Sequence, residues 1–272
     1  MGAGEAGQAV ELTPEESERF AWQIMIPGFG VEAQRSLKGA SALVTRVGGL
    51  GGPVALNLAM AGIGRLVLAH GGFVELFHMN RMILASYESV GRVSPATVAA
   101  ERLRVLNPTI ELEVVESNVT EQTVDDMVAS VDLVLDCPPT FEERHLLNAA
   151  CVRQGKPMVE SAVYSTDGYL TTILPGRTAC LSCMGLDNRD WGLPFPVLGA
   201  IPCAIGSLAA LEGIKVLTGY GSPLLDTLLL FDGETSRTRY MKLERDPACT
   251  VCGDHAPHPQ ETPAVAGADG GS

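Results

Sequence analysis

Short apolar runs of strand length alternate with longer amphipathic stretches through most of this chain. Ser41–Arg46, Arg65–His70, Ile110–Glu116, Asp132–Asp136 and Pro157–Val163 read as strands. Between them, Pro53–Ala61, Pro95–Leu106, Glu121–Ser130 and Glu142–Gln154 carry helical periodicity. Strands alternating with helices in this way predict an α/β fold with a mostly parallel sheet and helices on both faces. The pattern then changes. Tyr169–Leu174, Thr227–Phe231 and Arg237–Leu243 read as additional strands, and one long helix, Ala204–Leu217, runs up to a stop at Gly219.

Two local signatures sharpen the first half. Thr13-Pro14-Glu15-Glu16 has the form of a capping box with proline in the first turn, predicting a helix to about Ile24, ahead of Pro27. A second helix fits Val31–Lys38. After the strand at Ser41–Arg46 comes the turn Gly48-Gly49-Leu50-Gly51-Gly52, and Pro53 opens the next helix. This is a βαβ unit of about 30 residues and points to a Rossmann-like sheet. Gly48 and Gly51 hold the second and third glycine positions of G-x-G-x-x-G, but Arg46 holds the first. Backbone N–H groups of such a turn, aimed along a helix N-terminus, form an anion site for a phosphate. A tight turn without a ligand is the alternative. A bound NAD needs an acid at the end of the second strand, where this chain has His70-Gly71-Gly72, so a dehydrogenase is disfavoured.

Composition narrows the class. The chain has 272 residues, 46% of them hydrophobic, enough for one large core. Its net charge of −13, with no Lys/Arg cluster, argues against a nucleic-acid partner. No membrane span is expected, since Ala40–Val47 is strand-sized and Cys203–Leu217 is interrupted by Glu212 and Lys215. The N-terminus lacks the basic and apolar regions of a secretory signal, so a cytoplasmic location is expected. Residues 1–11 and 254–272 are small, polar or rich in Pro, Gly and Ala, which predicts disordered ends around a domain at 12–253.

A reducing compartment makes metal binding the first reading for cysteines. Cys180-Leu-Ser-Cys183 and Cys249-Thr-Val-Cys252 are two C-x-x-C knuckles, the pattern that fills a tetrahedral structural zinc site. Four unrelated buried cysteines, or a redox dithiol, are the weaker readings. His255 and His258 offer substitute ligands from a Pro-rich tail. Cys137 and Cys151 read as core thiols, and His145 as a surface or packing residue. Glu142 and Glu143 read as an acidic first helical turn, and Trp22 and Trp191 as core or interface residues.

Taken in order along the chain, these features resemble the ThiF/MoeB/HesA family, the bacterial relatives of ubiquitin-activating enzymes. The resemblance spans about residues 13–253 and rests on collinear segments: Phe20–Gly30, Leu43–Pro53, Leu68–Gly72, Asp136-Cys137-Pro138, Gly206–Lys215 and both knuckles. Leu43–Pro53 and Leu68–Gly72 place it nearest the HesA branch, found beside nitrogen-fixation genes. The resemblance implies a homodimer that binds ATP and magnesium and adenylylates the C-terminal Gly-Gly of a small ubiquitin-like sulfur-carrier protein. It implies nucleotide contacts from Gly48, Gly49, Gly51, His70, Asn80 and Arg81, and catalytic roles for Arg81 and Asp136, the latter toward the metal.

Several family positions are substituted. Trp22 stands where members have an arginine that reaches a partner subunit, His70 where an acid holds the ribose, and Ser94 where a lysine meets phosphate. Pro139 replaces the second aspartate of the D-C-T-D-N segment, and Phe195 lies where some members carry an acceptor cysteine, while Cys203 reads as part of the following helix. Losing two cations beside a transferring phosphoryl group removes on the order of 10³–10⁵ in rate. An active adenylyltransferase and a catalytically silent scaffold of the same fold both stay open, with a Rossmann oxidoreductase a minor third.

Overall fold

The computed structural model describes residues 10–186 and 195–254. Most of the two ends, and also Trp191, His255 and His258, lie outside the described residues. Val10 and Glu11 are described, and Glu11 pairs with Arg35 at 2.6 Å.

The strands are β1 Ser41–Thr45, β2 Arg65–Ala69, β3 Glu111–Val115, β4 Leu133–Asp136 and β5 Met158–Tyr164, followed by β6 Asp167–Ile173, β7 Thr227–Asp232 and β8 Arg237–Lys242. They form an eight-stranded sheet in the order β3-β2-β1-β4-β5-β6-β7-β8. Pairings from β3 through β5 are parallel. Those from β5 through β8 are antiparallel. The expectation of a mostly parallel sheet is therefore corrected to a mixed one. The reason lies in the connections: β5 turns directly into β6, and β7 into β8, through links too short for the crossover that parallel strands require.

The helices are α1 Pro14–Arg19, α2 Ala21–Ile24, α3 Gly30–Gly39, α4 Gly51–Ala61, α5 Pro95–Leu106, α6 Val124–Ala129, α7 Phe141–Gln154 and α8 Ala200–Thr218. The predicted capping box is present, with Thr13 and Glu16 each bonding the other's backbone N–H. The single helix expected to Ile24 breaks at Phe20, whose buried ring packs against Gly62, where a Cβ would lie 2.5 Å from Cζ.

Alternation along the central strands sends side chains to two cores. Ala42, Val44, Leu66, Leu68, Leu133 and Leu135 join α4, α5 and α8 in one core. Leu43, Val67, Ala69, Val134 and Met158 join α6, α7 and the cysteine knuckles in the other. By length and composition α8 could cross a membrane. Here Ile201, Ile205, Ala209 and Ala210 pack into the first core, and Glu212, mid-helix and buried, bonds Thr172 Oγ1 and Leu224 N.

Candidate functional site

From β1 the chain proceeds to β2 on one side, whereas β4 lies on the other, so strand order reverses between β1 and β4. The crevice beyond the strand C-termini at such a reversal is where open α/β sheets bind ligands. A cavity of about 1200 Å³ opens there. It runs from the glycine turn past Pro138 and Pro139 to the ends of β5, β6 and β7.

The glycine turn is shaped by close approaches. A Cβ on Gly51 would lie 2.7 Å from the Arg46 carbonyl oxygen, so only glycine lets the start of α4 close on the end of β1. A Cβ on Gly49 would lie 2.9 Å from both Cγ and Cδ of Arg81, placing that side chain over the turn. Arg81 is held by its own neighbourhood: Nη1 donates to Asn80 Oδ1 at 2.7 Å and to the Phe77 carbonyl at 2.8 Å. Burial lowers the Arg81 pKa. The predicted nucleotide residues Gly48, Gly49, His70 and Arg81 thus share one cavity wall. Gly51 and Asn80 do not line the cavity; Asn80 Oδ1 holds the Arg81 guanidinium.

His70 sits beside Gly48, with its Nδ1 buried and unpartnered. Burial, and then the charge of Arg46, push its pKa down to about 4, so the ring is neutral at physiological pH.

Asp136, the residue expected to face the metal, lies in a buried ion-pair cluster. Its carboxylate is fully buried and bonds Arg144 Nη1 at 3.1 Å, while the same nitrogen reaches Glu160 Oε1 at 2.7 Å and the Ser161 carbonyl at 2.9 Å. Nη2 bonds the Pro138 carbonyl, and Tyr169 donates to Glu160 Oε1 at 3.0 Å. Burial and the Glu160 charge raise the Asp136 pKa well above the ordinary carboxylate range. Burial opposes the Arg144 charge, but Glu160 and Asp136 outweigh it and its pKa rises. Arg144 engages Asp136 Oδ2 only, so Oδ1 is left as an unpartnered oxygen in the buried cluster, and Pro139 adds no side-chain ligand atom beside it. Asp136 and Arg144 together hold the Cys137-Pro138-Pro139 crossing, which forms the opposite lip of the crevice.

Sequence reasoning missed Arg144, which lies on a helix whose partners are distant in the chain. Glu142 and Glu143 do form the acidic first turn of α7, as expected, but only Glu142 is exposed; Glu143 is buried and accepts from Arg46 Nε at 2.7 Å. Cys137 and Cys151 are buried thiols, as expected.

At the far side of α7, Cys180, Cys183, Cys249 and Cys252 converge, with their Sγ atoms all within 4.8 Å of one another. This is a cluster able to hold a metal ion. Asn148 on α7 anchors the first knuckle, accepting from Leu181 N at 3.0 Å and donating to Ser182 Oγ at 3.3 Å.

Residues 20–251 match the sequence profile of the ThiF family. The chain belongs to that family. It is 47% identical over 249 residues to "Protein HesA" of Leptolyngbya boryana, covering 91% of this chain and 90% of that protein. It is 36% identical over 252 residues to the "Sulfur carrier protein adenylyltransferase" of Thermus thermophilus, covering 89% and 93%. Among solved structures, E. coli MccB with ATP superposes with a TM-score of 0.72 at 23% identity, covering 82% of this chain and 69% of that one. That likeness establishes the shared fold.

The positions that the resemblance marks as substituted take up different local roles. Ser94 has become the N-cap of α5: its Oγ accepts from Thr97 N at 3.1 Å and donates to Glu116 Oε1 at 2.8 Å. Trp22 is 85% exposed on α2, which makes it a surface residue and not a core one. Phe195 stacks on Tyr164 at a centroid distance of 6.1 Å. Cys203 lies in the first turns of α8, as expected.

Proposed function

We propose that this chain is an adenylyltransferase that activates the C-terminal carboxylate of a small sulfur-carrier protein, ending in Gly-Gly as the family resemblance implies. One observation carries the reading: Arg81 lies over a phosphate-type glycine turn at the head of a cleft that continues to β5, β6 and β7. A nucleotide at the turn and a peptide tail along the remaining cleft would meet at the α-phosphate. A carboxylate oxygen then bonds to that phosphorus as the bond to the β-phosphate oxygen breaks, and pyrophosphate leaves with the electron pair. Two anions must approach, so a fixed cation at the turn lowers the barrier. Arg81 supplies one. Neutral His70, with an unpartnered Nδ1, suits a ribose hydroxyl in place of the usual acid.

For magnesium, Asp136 Oδ1 is the unpartnered carboxylate oxygen at the expected position and Pro139 adds no ligand atom beside it; when bound, the ion would neutralise charge on the phosphates. Zinc does fit the cysteine cluster. A Zn–S bond of about 2.3 Å gives a tetrahedron with edges of about 3.8 Å. The Sγ separations are 3.9 Å for Cys180–Cys183, 3.8 Å for Cys180–Cys249 and 3.4 Å for Cys183–Cys252. Although burial alone would raise the Cys249 pKa, N–H groups of Cys252 and Val251 and the adjoining thiols bring it to about 7. The ion would tie the C-terminal segment to α7 and do no chemistry. Exposed Trp22, Met25 and Met60 suit an apolar interface between two copies of the chain.

The second reading is a scaffold that binds a carrier without adenylating it; the capping role of Ser94 and the enclosure of Asp136 favour it. Pyrophosphate exchange with ATP and Gly-Gly carrier proteins separates the two. Carrier-dependent exchange that is lost in Arg81→Ala supports the enzyme. Carrier binding with no exchange overturns it.

A further inference from the structure

Arg46 occupies the first glycine position of the phosphate turn, and its backbone adopts φ +52°, a left-handed conformation that favours glycine. An arginine kept in a strained conformation at a ligand-binding turn needs a reason. Its surroundings provide one. Nε is fixed by Glu143 Oε2 at 2.7 Å, and Glu143 is itself held by Val119 N through Oε1 at 3.3 Å. Among the described residues the two terminal nitrogens of Arg46 have no partner. The side chain is 22% exposed and lines the cavity between His70 and the Pro138 lip. Its charge is felt at His70.

The other cavity-lining arginines do not duplicate it. Arg144 is fully engaged, Arg81 covers the opposite side of the turn at Gly49, and Arg239 stands on β8 at the far end. The cationic positions at Ser94 and Trp22 are gone.

We propose that Arg46 is a nucleotide-binding residue whose free guanidinium nitrogens hold the α-phosphate, with Glu143 as its positioning residue. This supplies in cis, from the turn itself, charge that the substituted positions no longer bring. The inference rests on the adenylyltransferase reading for the presence of a nucleotide. The α-phosphate is the moiety assigned because His70, assigned to the ribose, lies against Gly48 within the turn, and the α-phosphate is the one joined to the ribose.

The test is R46G, which relieves the backbone and removes the charge, with R46A keeping the strained conformation and losing the charge. ATP and AMP binding are measured by calorimetry alongside the melting temperature. R46G is expected to melt below the parent, because the buried Glu143 loses its cation and the backbone relief offsets only part of that, while its Kd for both ATP and AMP rises about ten- to a hundredfold. R46A should lose the same affinity and melt lower than R46G, since it keeps the left-handed backbone without glycine. An R46G protein that binds both nucleotides as tightly as the parent overturns the proposal. So does loss of ATP binding with AMP binding kept, since that places the contact at the outer phosphates. If the parent itself binds neither nucleotide, the adenylyltransferase reading falls and takes this inference with it. If the parent binds and R46G is unaffected, only this inference falls.

Discussion

The methylene stem of Arg81 lies across Gly49, with Cγ and Cδ each 2.9 Å from where a Cβ on that glycine would stand. The turn and the cation are therefore one unit, although the two residues lie on separate elements. Gly49→Ala should displace the guanidinium while leaving the fold standing, because an arginine stem can swing. We expect nucleotide affinity to fall about tenfold and unfolding free energy to change by less than about 1 kcal/mol. Calorimetric titration beside urea unfolding measures both. Full affinity in the alanine variant would dissociate the turn from the cation.

Arg144→Ala leaves Asp136 and Glu160 facing each other without their cation, in a region where Asp136 Oδ1 and Glu160 Oε2 already lack partners. Breaking a buried ion pair from one side costs about 3–5 kcal/mol. Chemical unfolding should show that loss. Arg144→Met combined with Glu160→Gln should recover part of it by removing the uncompensated charge. A single variant as stable as the parent would contradict the structural role.

Removing metal from the Cys180, Cys183, Cys249 and Cys252 cluster should release the C-terminal segment from α7. We expect one zinc per chain by elemental analysis, and a drop of about 3 kcal/mol or more, roughly 10 °C in Tm, on stripping it with a strong chelator. An unchanged melting curve after complete removal would show that the knuckles do not staple the fold.

His70 makes stability depend on pH. Its folded pKa of about 4 lies below the ordinary histidine value of 6.5. Above about pH 6.5 neither state takes the proton, so nothing is lost. As pH falls from about 6.5 toward 4, the unfolded chain binds a proton that the folded one refuses, and stability declines by up to about 3 kcal/mol. His70→Asn should flatten that part of the profile in urea titrations at pH 7, 6 and 5. An unaltered slope would assign the effect to other groups.

Local pattern was enough to place every strand and most helices, because burial on two faces and glycine or proline stops leave a periodic trace in the sequence. The knuckles were legible for a similar reason: ligand spacing within each pair is a local property. What only the tertiary structure decided is where distant residues meet. The reversal to antiparallel pairing after β5, the burial of Asp136 against Arg144, the conversion of Ser94 to a helix cap and the Arg46–Glu143 pair all depend on contacts between segments far apart in sequence. Charge in particular carries no address. An aspartate reads the same whether it faces a metal or a buried arginine, and desolvation and partner geometry, which exist only in the folded chain, set the difference.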